Sequence, residues 1–107
     1  MDWHLYIYSF LAGLIGVNGV PHFIKGVTGQ VHQTPFGRPS SPVINVLWGW
    51  VNFVVAGLLL FWAQVHAHLL RAFSLVAIAG LLMAILLALT WTKHPEYNKL
   101  SEKKVTK

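Results

Sequence analysis

Carboxylates are almost absent from this chain and cysteine is wholly absent. Asp2, Glu96 and Glu102 are the only acidic side chains in 107 residues, and there is no Cys. Without cysteine there are neither disulfides nor thiolate metal sites. Without acids between Asp2 and Glu96 there is no paired-carboxylate acid–base site. Proton-coupled transport through an intramembrane carboxylate is disfavoured for the same reason. No Ser-His-Asp pattern and no phosphate loop is present either. Charge of any sign is scarce: Asp, Glu, Lys and Arg together make 10% of the residues, against roughly a quarter in ordinary soluble domains.

What fills the space is hydrocarbon. Three long uncharged runs, 3–24, 43–65 and 72–92, each come near the roughly 20 residues that an α-helix needs to cross a bilayer. The third run, AFSLVAIAGLLMAILLALTWT, is apolar on every side, as a lipid-embedded helix is. The expected fold is therefore all-α: a single transmembrane domain over 1–107, a bundle of three transmembrane helices with a basic tail at 93–107. The start, MDWHLYIY, lacks the basic n-region of a secretory signal, so the first run is expected to be retained.

The basic residues are unevenly placed. Lys25 and Arg38 fall in the first connection, and Lys93, Lys99, Lys103, Lys104 and Lys107 fall beyond the third run; Arg71 alone lies on the opposite side. The positive-inside rule then puts the N-terminus outside, and the first loop and the C-terminus in the cytoplasm. The basic tail reads as a topology determinant and lipid-surface contact, not as a nucleic-acid binder.

Local signals set expected boundaries. Asp2 is placed to cap the first helix, and Trp3, Tyr6 and Tyr8 sit where interfacial aromatics belong. Pro21 removes a ladder hydrogen bond, which predicts a kink near Val17–Asn18 or a helix end soon after. Ser41–Pro42 reads as N-cap and first helical residue of the second span. The short connection HAHLLR predicts that spans two and three form an antiparallel hairpin. Lys93 and His94 suit the last turn of the third helix, with Pro95 as its stop. Rows of small residues mark faces for close helix packing: Ser9, Ala12, Gly16 and Gly19; Asn45, Gly49, Asn52, Ala56 and Ala63; Ala77, Gly80, Ala84 and Ala88.

The first connection carries more specialised residues than a linker needs, with four prolines and four glycines between Asn18 and Asn45. At 1.5 Å rise per residue, Asn18 and Asn52 fall at similar depths below this loop, and Thr90 joins them from the third helix. Asn18, His22, Lys25, His32, Arg38, Asn45 and Asn52 are thus candidate ligand-binding residues, with Gln33 and Thr34 added by the loop. Imidazole and amides at membrane depth are costly enough to suggest a role. Metal binding, proton relay, or bonding to a quinone-like or lipid headgroup all suit His22. The plain alternative is that these Asn and His side chains only hydrogen-bond across helices, and that Asn18 only satisfies carbonyls freed by Pro21. His4, His66 and His68 on the other side form a weaker candidate metal site, more simply read as interfacial histidines. Trp48, Trp50, Trp62 and Trp91 read as interfacial aromatics.

The G-x-x-H-F pattern at Gly19 to Phe23, in a short, charge-poor helical bundle, resembles the small DoxX-like bacterial inner-membrane proteins. That resemblance implies an integral protein of the bacterial inner (plasma) membrane, although the family usually has four spans against three here. It transfers no functional residue and no cofactor. The expected role is a non-enzymatic subunit or scaffold of a membrane complex, with the lipid bilayer and other membrane helices as partners by homo- or hetero-oligomerisation. The alternative is a small-molecule-binding membrane protein (transporter, redox accessory or enzyme) with a polar pocket at the cytoplasmic face, formed by helices 1 and 2 and their loop.

Overall fold

The computed structural model describes residues 3–64 and 67–92. Three helices, α1 (Trp3–Val27), α2 (Pro42–Trp62) and α3 (Leu69–Thr92), are long and apolar enough to cross a membrane. A two-stranded antiparallel hairpin, β1 (His32–Thr34) and β2 (Gly37–Ser40), joins α1 to α2.

The helix ends follow from capping chemistry. α1 does not end near Pro21; it runs six residues further, to Val27. It closes where Gly29 turns to φ 77°, with Gln30 N donating to Lys25 O at 2.8 Å and Gly29 N to Gly26 O at 3.1 Å. This pair of bonds is a Schellman stop, which satisfies carbonyls that a helix end would otherwise leave bare. α2 starts as its sequence suggests: Ser41 Oγ accepts from Ile44 N at 3.2 Å, and Pro42 takes the first position. α3 begins three residues earlier than the uncharged run, because His68 O accepts from Ala72 N and draws Arg71 into the first turn. The expected stop at Lys93, His94 and Pro95 lies outside the described residues.

Burial is inverted relative to a soluble protein. Buried apolar positions are mostly alanine (Ala12, Ala56, Ala63, Ala72, Ala79), while Leu58, Leu70, Phe73, Leu81 and Leu86 are exposed. In water such a surface would be an aggregation liability; against lipid tails it is neutral, and helices associate by close backbone approach. Gly19 and Gly49 make the α1–α2 crossing. A Cβ added to Gly19 would lie 2.9 Å from Gly49 O, and one added to Gly49 would lie 2.8 Å from Gly19 O. Gly13 makes the α1–α3 crossing, where a Cβ would sit 2.8 Å from Ala79 Cβ.

α1 is the central helix. Both α2 and α3 pack on it, whereas α2 and α3 make at most marginal contact with each other. The short connection between them does not produce the packed α2–α3 pair that its length suggested. Alternation of direction survives, but the seam between those helices is left open. The small-residue row on α2 is buried as expected, at Asn45, Gly49, Asn52 and Ala56. On α3 only Gly80 of the expected row is buried; Ala77, Ala84 and Ala88 face outward, and Ala72 and Ala79 take the inner positions.

Candidate functional site: a polar cleft under the hairpin

The first connection is organised around one side chain. Asn45, in the first turn of α2, is fully buried, and its Nδ2 donates to the carbonyls of His32 (3.1 Å), Ser40 (3.1 Å) and Ser41 (3.0 Å). These acceptors come from both strands of the hairpin and from the cap of α2, so a single amide ties the hairpin to the bundle. Inside the hairpin, the Thr34 and Ser40 hydroxyls bond each other; Ser40 Oγ donates to Gly37 O at 3.1 Å and Phe36 N donates to Thr34 Oγ at 3.1 Å. The register is His32 opposite Ser40 and Thr34 opposite Gly37, with an irregularity between.

Three carbonyls around Nδ2 leave Asn45 Oδ1 to face His22, 3.1 Å from the ring Nδ1. An amide oxygen only accepts, so Nδ1 carries the proton and donates. The neutral ring then presents Nε2 as a lone pair. Nε2 has no hydrogen-bond partner among the described residues, and His22 lines the adjoining cleft. One turn earlier, Asn52 Nδ2 donates to Trp48 O at 2.8 Å, so its Oδ1 accepts a long 3.4 Å bond from Asn18 Nδ2. Asn18 Oδ1 is left as a second acceptor on the same helix face.

The cleft itself has a volume of about 610 Å³. Asn18 and His22 of α1 form its floor, the turn from Gln33 to Arg38 its roof, and Trp48 of α2 with Leu87 and Trp91 of α3 its walls. It occupies the unpacked seam between α2 and α3. The packing of both outer helices on α1, and not on each other, is what makes room for it.

The candidate residues divide accordingly. Asn18, His22 and Arg38 line the cleft, joined by Gln33 and Thr34. Asn45 and Asn52 stand behind it and orient His22 and Asn18. His32 is buried at 2% exposure, with its ring 5.1 Å from that of His22 and 4.3 Å from that of Trp91. Burial, then repulsion from His22 once that ring is protonated and from Lys25, push its pKa down to about 4, so it is neutral near pH 7. Lys25 does not line the cleft; it lines a separate groove with Val17, Val20 and Ala84, on the α1–α3 flank. Thr90 does not line it either, and its hydroxyl bonds back to Leu86 O. Trp48 and Trp91, read from sequence as interfacial, are cleft walls. Their depth in the helices predicted an interface position, but nothing in the pattern showed that both flank one gap.

At the opposite end, His4 and His68 line a pocket of about 170 Å³ with Leu5, Trp62, Ala63 and Gln64. His66 lies outside the described residues. Among the described residues no group of three metal-ligating side chains forms. His4 instead stacks on Trp3 at 4.2 Å and meets Tyr8 edge-on at 5.9 Å.

No family model, curated protein or solved structure matches this chain. Among the described residues, fold and site together give three helices long and apolar enough to cross a membrane and a polar cleft under a β-hairpin.

Proposed function

We propose that this chain is an integral membrane protein that binds a small molecule in the cleft beneath its hairpin, at the cytoplasmic face. The observation that carries this is the orientation of His22. Its Nδ1 is held by an amide that is itself held by three carbonyls, its Nε2 is left without a partner among the described residues, and the side chain lines the cleft. A histidine kept only for packing would have both nitrogens occupied or neither directed. The placement of the cleft on the cytoplasmic side rests on Lys25, Arg38 and the lysines of the tail. Native mass spectrometry of the protein gently released from its own membrane tests the reading. The expected spectrum shows the chain with a small-molecule mass that His22→Phe loses; a chain that is always bare, in wild type and variant alike, would sink it.

A subunit role is the second reading, favoured by the row of Ala77, Ala84 and Ala88, which stands exposed on α3. Ala84→Leu is the discriminating substitution. Gly80→Leu is not, because Gly80 packs against Val17 within the chain, where a Cβ would meet Val17 Cγ2 at 2.9 Å.

A further inference from the structure

The cleft is polar at its floor but does not end in polar atoms. Phe36 and Trp48, whose rings meet edge to face at 5.6 Å, line it on one side and on the other line a second groove of about 330 Å³. Ile44, Leu47 and Val51 complete that groove along the outward face of α2, and its lining is wholly apolar. A polar chamber and an apolar groove therefore meet across one aromatic pair. Only an amphiphile satisfies both compartments at once. Another groove, on the α1–α3 flank, shares Leu87 with the cleft but is also lined by Lys25, so the α2 groove is the wholly apolar one, and it suits one hydrocarbon chain.

The floor defines the head. His22 Nε2 and Asn18 Oδ1 are both acceptors, one helical turn apart on one face of α1. Two acceptors on side chains that line a cleft walled by Trp48, Leu87 and Trp91 lose access to water when a head fills it. The head must therefore bring donors, because a polar group buried without a partner is costly. A carbonyl, ether or carboxylate oxygen would set lone pair against lone pair. A hydroxyl donates to such an acceptor and still accepts, and the side chains of Gln33 and Arg38 lining the roof supply donors to it. We propose that the cleft takes the hydroxyl-bearing head of a neutral single-chain amphiphile of the monoacylglycerol kind. Its hydroxyls donate to His22 Nε2 and Asn18 Oδ1, and its chain lies over Phe36 and Trp48 in the α2 groove. This assignment rests on the proposed binding function of the same cleft.

The experiment uses the full chain in phosphatidylcholine nanodiscs, whose lipid headgroup has no hydroxyl. Three probes with the same dibrominated acyl chain are titrated in: a monoacylglycerol, its di-O-methyl ether and a lysophosphatidic acid. Bromine quenching of tryptophan emission reports occupancy next to Trp48, with Trp48→Phe identifying that residue's share of the signal. The monoacylglycerol is expected to quench saturably. The dimethyl ether loses both donors and should bind about tenfold or more weakly, the factor for two lost hydrogen bonds in the lower half of the usual range. His22→Phe should lower monoacylglycerol binding part of the way to the level of the ether, because the bond to Asn18 remains, and should leave the ether unchanged. Equal binding of ether and diol in the wild type would overturn the hydroxyl assignment while leaving a binding cleft, and that comparison needs no variant to fold. Preference for the lysophosphatidic acid, lost in Arg38→Gln, would likewise overturn it in favour of phosphate recognition. Absence of saturable quenching by every probe overturns it too. The parent reading falls with it only if the natively extracted chain also carries no small molecule.

Discussion

The two seams of α1 are built differently. Toward α3 the contact is close and chemically plain: Gly13 lies under Val76 and Ala79, and Gly80 lies under Val17. Toward α2 the same close approach, at Gly19 and Gly49, is flanked by two polar brackets, Asn18 with Asn52 and His22 with Asn45. Both seams hold the bundle together, but only one fixes the direction of polar side chains. Close packing alone lets a helix slide or roll by a fraction of a turn at little cost. A hydrogen bond across the seam ties rotation to chemistry, which is what a site needs and a plain interface does not.

The largest test of that contrast is steric. Gly49→Leu should separate α1 from α2 and cost about 3 kcal/mol or more, since backbone on the facing helix has no room to yield. Thermal unfolding in detergent would show it, and a Tm close to wild type would refute the crossing. Next comes the bracket. Asn45→Leu leaves the carbonyls of His32, Ser40 and Ser41 without their shared donor and frees the His22 ring. About 2–3 kcal/mol is the expected cost, concentrated in the hairpin. Limited proteolysis should therefore cut between Thr34 and Arg38 while the helices stay intact, whereas the Gly49 variant loosens the whole bundle.

Acid provides a gentler perturbation. His32 has a pKa near 4 when the hairpin is docked, below the usual 6.5 that it regains when the hairpin is released. The released form binds more protons in that interval, so docking is at full strength above about pH 6.5 and weakens as pH falls toward 4. Hydrogen exchange at the hairpin amides, corrected for intrinsic rate, should speed up through this window. A His32→Phe variant should flatten the dependence, and an unchanged slope would assign the effect elsewhere. The smallest effect is expected at the cap: Ser41→Ala should cost about 1 kcal/mol, read as a modest drop in Tm without change at the cleft.

Much of this was visible before any coordinates. Three apolar runs, the Ser41–Pro42 helix start and the buried face of α2 are all local signals, and the structure agrees with each. The buried face of α3 is not legible in the sequence because that helix is apolar all round. Periodicity marks a face only where polar residues mark the other, and alanine suits both lipid and a helix seam. The α1 end is not legible from Pro21 alone, because a proline stops a helix only when nothing downstream rewards its continuation. Here Gly26 packs against Pro42 and Val46, and the Gly29 stop completes the turn.

The sequence by itself determined that this chain would fold as helices suited to a membrane, and where most of its uncommon polar residues would gather. Those outcomes depend on composition and short-range spacing. Only the tertiary structure decided that α2 and α3 would both lie on α1 and leave a gap, that Asn45 would bracket the hairpin to the bundle, and that Lys25 would line a different groove. Such choices turn on which helix approaches which, and on where one amide finds its three carbonyls. Those partners come from both strands of the hairpin and the helix cap, and they meet only once the chain has closed on itself.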